Sequence, residues 1–218
     1  MSVHPLRALL EQAARGTFPP ADGRVDVLPA VDGFPGVVTA FTGHFVIAAD
    51  VDPAQVAARV PAGDFSRPMA AATLVWLGEQ VGSVPSTFDA LLAGAGEGRG
   101  IPSLLREVTQ SSHPRVARTA RYRTDVRIFE VAEGGGVVVV GRGVCGRWEI
   151  GYEVEPAAAR RGLGRRVAAA ARQLLPAGEP VFAQVAPGNA ASMRATVAAG
   201  FAPIGAEVVF PPCAAAAQ

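Results

Sequence analysis

Between residues 125 and 210 the sequence changes its period in a way that few folds accommodate. The runs "DVRIFEVAE", "VVVVGRGVCG" and "RWEIGYEVEP" are three β-rich segments at short spacing, the first two joined by the turn "GGG". Strands this close in sequence form an antiparallel meander. Pro156 ends the third run, and the order then becomes helix, strand, helix, strand, the last three being "PVFAQVAP", "NAASMRATVAAG" and "PIGAEVVF". That closing strand, helix, strand unit is expected to be a parallel, right-handed crossover. A meander that runs into a crossover calls for a mixed sheet with helices on its faces, so the expected fold class is α/β (α+β mixed sheet).

In the helix after Pro156, Val167, Ala170, Ala171 and Leu174 make an apolar stripe, and Arg165 and Arg172 sit together away from it. Pro176 and Gly178 stop it. Asn189 is placed to cap the next helix and Gly200 to end it. The first hundred residues carry their own α/β pattern: a helix over 5–15 stopped by Gly16, the strand "RVDVLP", and "GVVTAFTGHFVIAAD" returning as a hairpin around Thr42 and Gly43. "DPAQVAARV" has Asp52 as N-cap and Pro53 at the first helical position. "SRPMAAATLVWLGEQVG" reads as a helix capped by Ser66, apolar on nearly every side and therefore buried. The glycine-rich "LLAGAGEGRGIP" lacks a core pattern and is expected to be a linker or mobile loop. "SHPRVARTARYR" reads as a helix with Ser112 as N-cap. Two domains follow from this organisation, residues 1–108 and 109–218.

Charge divides the chain as well. The net charge is +1, but seven arginines face eleven carboxylates up to residue 108, and thirteen face eight beyond it. An anionic ligand is therefore expected in the second half. All 20 basic residues are arginine, which excludes a Schiff-base lysine, a phosphate-loop lysine and a lysine general base. Cys145 and Cys213 are too few for a disulfide scaffold or a four-thiolate zinc site, and His44 and His113 have no partner at metal-ligand spacing. No metal is expected. No apolar run approaches the ~18 residues of a membrane span, and no signal-peptide pattern opens the chain, so a soluble cytoplasmic protein without a membrane partner is expected. A mean hydropathy of +0.27 leaves a homodimer open.

The stretch "EPAAARRGLGRRVAAAARQLLP", residues 155–176, holds five arginines and the glycines Gly162 and Gly164. A solvated helix start accommodates the arginines, which are good helix formers, but leaves the glycines without a reason. A dinucleotide motif needs a third glycine where Val167 stands, and it follows its strand closely, whereas here five residues separate Val154 from Arg160. A Walker loop needs the missing lysine. Nucleic-acid binding predicts a broad basic surface interleaved with aromatics, and neither is present, so nucleic acid is not the expected partner. A further reading is a pyrophosphate cradle, in which a loop from Arg160 to Gly164 enters a helix N-terminus and aims backbone N–H groups at an anion.

The run "EIGYEVEPAAARRGLGRRV" resembles the signature segment of the GNAT acetyltransferases, in which a strand ending in Val-x-Pro precedes a Gln/Arg-x-x-Gly-x-Gly/Ala loop. Val154, Pro156, Gly162 and Gly164 fall in register, and Ala159 departs where the family favours Gln or Arg. "VAPGNAASMRATVAAGFAPIG" is similar to the family's second motif, with Asn189, Ser192, Arg194, Gly200 and Phe201 in order. The resemblance spans roughly residues 109–210. It implies a GNAT-like mixed sheet with flanking helices there; residues 1–108 can be read as a degenerate GNAT-like half or as a separate lid.

The resemblance also implies an acetyl-CoA-dependent N-acetyltransferase acting by direct attack of an amine on the thioester. Acetyl-CoA would be held by Val154, Arg160, Arg161, Gly162, Leu163, Gly164, Arg165, Asn189 and Ser192, with the strand ending at Val154 splayed from the strand over 181–186. Asn189 and Ser192 also fit a purely capping role. Glu149 and Glu153 are the candidate bases, Glu149 being preferred. The family's frequent tyrosine acid is replaced by Thr196, so either the thiolate leaves without a protein donor or Tyr152 supplies the proton from elsewhere. The acceptor would be a small-molecule amine or a protein N-terminus. The alternative of another class is a catalytically decayed CoA-binding sensor or interaction module, which Ala159 and Thr196 permit.

Overall fold

A computed structural model describes residues 3–159 and 162–211. In chain order its elements are α1 (Pro5–Ala14), β1 (Val25–Leu28), β2 (Gly36–Phe41), β3 (His44–Ala49), α2 (Pro53–Arg59), α3 (Ala71–Val81), β4 (Asp89–Ala95), β5 (Leu105–Val108) and α4 (Pro114–Thr119). They continue with β6 (Thr124–Val131), β7 (Gly136–Arg142), β8 (Trp148–Val154), α5 (Pro156–Ala159), α6 (Leu163–Gln173), β9 (Pro180–Val185), α7 (Ala190–Ala198) and β10 (Ala202–Phe210). The chain forms two compact units, one of residues up to Ala90 together with those from Ile204 onward, the other Leu91–Pro203. These units divide at 90/91 and 203/204, whereas the sequence suggests a division at 108/109, and the last strand returns to the first unit.

In the first unit the strand order is β1-β3-β2-β10. β2 and β3 form the expected hairpin, closing at Phe41 and His44, and β1 runs parallel to β3. β10 pairs antiparallel with β2 from Ala206–Ala40 to Phe210–Gly36. Its alternate residues Val208 and Phe210 join Val38, Ile47, Leu74, Trp76 and Leu77 in one core, and burying that apolar face draws the last strand home. Asp52 caps α2 as its sequence predicts, accepting from the N–H of Ala54 at 2.9 Å. α3 differs from expectation: it starts at Ala71 without a side-chain cap, because the Ser66 hydroxyl donates to Asp64 at 2.7 Å within a preceding turn. Nor is α3 buried all round, since Val75 stays 56% exposed.

In the second unit the order is β4-β9-β8-β7-β6-β5. β6, β7 and β8 make the antiparallel meander, with Gly134 and Gly135 at positive φ in its first turn. A parallel crossover falls on β8, α6 and β9, whereas β9 and β10 are not paired with each other. The expected linker at 91–102 is corrected most sharply. Leu91 and Leu92 are fully buried in β4, and the neighbouring glycines exist for close approach. A β-carbon on Gly94 would touch the Gly200 carbonyl and the Phe201 ring, each at 3.3 Å, and one on Gly96 would run into the carbonyl of Pro176. Arg172 is also not on a solvated face: Nε donates to the Ala95 carbonyl and Nη1 to the Ala199 carbonyl, which ties the end of β4 to the end of α7.

The sequence predicts Ser112 as cap of α4, but His113 takes that position, its Nδ1 accepting from the N–H of Arg115. Among the described residues, no helix is long and apolar enough to cross a membrane.

Candidate functional site

β8 presents alternate residues to two different environments. Trp148, Ile150, Tyr152 and Val154 project from one face, and Glu149, Gly151 and Glu153 from the other. The parallel register with β9 covers Trp148–Val181, Glu149–Phe182 and Ile150–Ala183. β8 then runs on to Val154 and β9 to Val185 with no further register pair among the described residues. On its other edge β8 stays paired with β7 through Val154–Gly136.

Beyond β8, Gly162 occupies the cap position of α6 at φ 73°, a left-handed conformation that glycine adopts without strain. It offers no capping side chain, and the first turn holds no acidic residue. The amides of Leu163, Gly164 and Arg165 belong to the turn whose N–H groups lie outside the helical ladder. Leu163 is buried beneath this turn, while Arg165 and Arg166 project into solvent. Arg160 and Arg161 lie outside the described residues.

Tyr152 reaches across to α7. Its hydroxyl lies 2.8 Å from Oγ1 of Thr196 and 3.3 Å from the Ser192 carbonyl, to which it can donate. Thr196 is fully buried. Burial pushes the Tyr152 phenol above its ordinary value, so it stays protonated through neutral pH. Ser192 takes part through its main chain, its N–H donating to Oδ1 of Asn189, the N-cap of α7, at 3.0 Å. Tyr152, Ser192 and Thr196 are therefore brought together near the start of α6, where a β-carbon on Gly164 would lie 4.0 Å from the tyrosine ring.

Glu149 lies on the opposite face and in a different chemical state. It is 2% exposed, and its Oε2 accepts from Nε of Arg123 at 2.9 Å. Oε1 accepts from Nε of Arg147 at 2.8 Å and from the N–H of Val144 at 3.2 Å. Gly143 is required beneath it, since any β-carbon there would collide with the carboxylate. Burial alone would push this carboxyl up, but Arg147 and Arg123 together hold it below the usual range. A carboxylate whose oxygens are already engaged by two guanidiniums and a main-chain N–H has little capacity left for an ammonium proton, which speaks against the expected role of Glu149 as a base. Glu153 is more open and binds Arg115 at 3.2 Å and Arg118 at 3.8 Å.

Arg123, Arg147 and the Tyr152–Thr196 contact are the features that sequence reasoning misses. Arg147 had a signal, because it precedes Glu149 by two residues and strand alternation puts both on one face. Arg123 had none, since it arrives from the turn between α4 and β6. Among the described residues, no group of three or more His, Cys, Asp or Glu side chains is arranged to hold a metal ion.

No protein-family model and no curated protein matches the chain. Among solved structures, it is similar to a GCN5-related N-acetyltransferase from Kribbella flavida, with 16% identity and a TM-score of 0.39 over 66% of this chain and 65% of that one. The match thus spans less than two thirds of the Kribbella protein. It is also similar to a protein described as an acetyltransferase from the GNAT family from Novosphingobium aromaticivorans DSM 12444, with 14% identity and a TM-score of 0.36 over 59% of this chain and 68% of that one.

Proposed function

We propose that the second unit binds acetyl-CoA along the end of β8 and transfers its acetyl group to an amine. The observation that carries this reading is the early end of the β8–β9 register at Ile150 and Ala183, with a glycine-started helix following β8 and a protonated phenol beside the gap. The residues fit such a ligand. Main-chain groups from Gly151 to Val154 suit the amides of a pantetheine arm, and the N–H groups of Leu163, Gly164 and Arg165 suit a pyrophosphate, with Gly162 keeping the approach clear and Arg160, Arg161 and Arg165 adding charge. Asn189 and Ser192 hold the facing start of α7.

When bound, acetyl-CoA supplies an activated acyl carbon on a thiol leaving group. The chain's part is to place an amine in line with it and to handle one proton at the departing sulfur. Tyr152 is the donor in this reading, and Thr196 fixes its hydroxyl. The acceptor is a small-molecule amine or a protein N-terminus.

The test is the thermal melt of the full chain against acetyl-CoA, CoA and ATP at matched concentrations. A shift with both CoA ligands and little with ATP supports the reading, provided that Gly162→Val removes it. An equal shift with all three reduces the start of α6 to a generic anion site.

A further inference from the structure

The turn between β6 and β7 packs against the stretch of chain that follows β8. The Gly135 carbonyl accepts from the N–H of Glu155 at 2.9 Å, one residue past the end of β8. A β-carbon on Gly135 would stand 3.1 Å from that of Ala158 in α5 and 4.0 Å from Cδ2 of Leu163, the first residue of α6. Ala158 and Leu163 are both buried. One main-chain hydrogen bond and two side-chain contacts thus converge on a single residue of the turn.

Gly134 separates this contact from the demands of the turn itself. Both glycines have a positive φ, 81° at Gly134 and 84° at Gly135, so a side chain meets the same backbone strain at either. A β-carbon on Gly134, however, would meet nothing within 4 Å. Backbone conformation accounts for glycine at 134, whereas residue 135 must also clear Ala158. On its other flank the start of α6 rests on α7, where a β-carbon on Gly164 would lie 3.4 Å from that of Ala195. The first turn of α6 is therefore supported from two sides, and the support on the β6–β7 side is Gly135.

We infer that Gly135 is a positioning residue for the diphosphate end of acetyl-CoA: through Glu155, Ala158 and Leu163 it sets where the N–H groups of Leu163, Gly164 and Arg165 stand. The identity of the ligand rests on the acetyl-CoA reading above; the link between the turn and the start of α6 does not. A methyl group at 135 obliges Ala158 to give way by a few tenths of an ångström. Hydrogen bonds weaken steeply with misalignment, so donors carried by the displaced turn lose hold of an anion that several of them share.

The experiment compares Gly135→Ala with Gly134→Ala in the full chain. Calorimetric titrations use CoA and pantetheine, which has the same amide arm but no phosphate, and NMR follows amide exchange at Glu155 and Ala158 without ligand. Gly135→Ala should bind CoA about tenfold more weakly than Gly134→Ala does, keep its pantetheine affinity within about twofold, and exchange faster at both amides. Ala158→Val, which crowds the same contact without touching the strained turn, should act in the same direction. Gly135→Ala combined with Ala158→Gly, which makes room for the new methyl, should recover most of the CoA affinity. Equal CoA affinity in the two glycine variants, a loss shared equally by pantetheine, or no recovery in the double variant overturns the assignment. A wild-type chain that binds no CoA overturns the acetyl-CoA reading and the ligand named here, while the exchange comparison still decides whether the turn holds the start of α6.

Discussion

The hydroxyl of Tyr152 on β8 and that of Thr196 on α7 lie 2.8 Å apart, joining a strand and a helix 44 residues distant in the chain. A phenol has one proton, so either Tyr152 donates to Thr196 or it accepts from Thr196 and donates to the Ser192 carbonyl. Both arrangements hold the tyrosine oxygen against α7.

Tyr152→Phe separates binding from proton donation. Acetyl transfer should fall about a hundredfold in kcat, the range for loss of a positioned acid, with acetyl-CoA affinity little changed. Stability should drop by only about 1 kcal/mol for the lost hydrogen bond. With the phenol raised above its ordinary pKa of 10.0, the wild-type rate should not decline on the alkaline side below that pH on this residue's account. Steady-state kinetics across pH, beside a binding titration, decides it, and an unchanged kcat removes Tyr152 from the chemistry.

Glu149→Gln should act on stability first. The variant leaves the buried guanidiniums of Arg123 and Arg147 facing a neutral amide, a change of the kind that costs about 3 kcal/mol. The Glu149 pKa is lowered in the fold relative to its ordinary 4.5, so its stabilisation is complete above that value and is lost as pH falls through the lower folded pKa. Urea unfolding should therefore show a full difference between wild type and variant at pH 7 that shrinks below pH 4.5. A variant that unfolds like wild type but loses kcat would restore Glu149 as a base.

The parts of this molecule that are legible in its sequence are those set by short-range periodicity. The meander from Thr124 to Val154, the stripe of Val167, Ala170 and Ala171 on α6, and the caps Asp52 and Asn189 all depend on neighbours a few residues away. What escapes is decided at a distance. Gly94 in β4 and Gly96 just after it read as a linker because the atoms that demand them, the carbonyls of Gly200 and Pro176, lie some eighty to a hundred residues later. Likewise, nothing around Glu149 announces that Arg123 will close over it, and nothing in the "PIGAEVVF" run tells it that β2 will be its partner.

Gly96→Ala tests whether the glycine run is a packed strand. Its new methyl group would be driven into the Pro176 carbonyl, with the Leu175 carbonyl 3.0 Å away, and backbone at both contacts cannot rotate aside. The expected loss is about 1–3 kcal/mol, typical of overpacking. Gly188→Ala, where a β-carbon meets nothing within 4 Å, is the control and should be nearly neutral. Thermal unfolding of both compares them directly; a mobile linker at 91–102 would make them equal.

Asp89, at the start of β4, sits near buried Glu207 in the first unit, and burial followed by repulsion from Glu207 pushes its carboxyl up to about 6. A folded pKa raised above the ordinary 3.8 means that the fold favours the neutral acid. The stability linked to this group is fully present below about pH 4 and is lost as pH rises through about 6. Asp89→Asn keeps the shape and removes the charge. Its melting temperature should match wild type near pH 4, pull ahead between pH 5 and 6, and hold that lead above about pH 7, where wild-type Asp89 is ionised beside Glu207. Calorimetric melts at four pH values across this window measure it, and a difference that stays flat with pH would mean that Asp89 ionises without penalty.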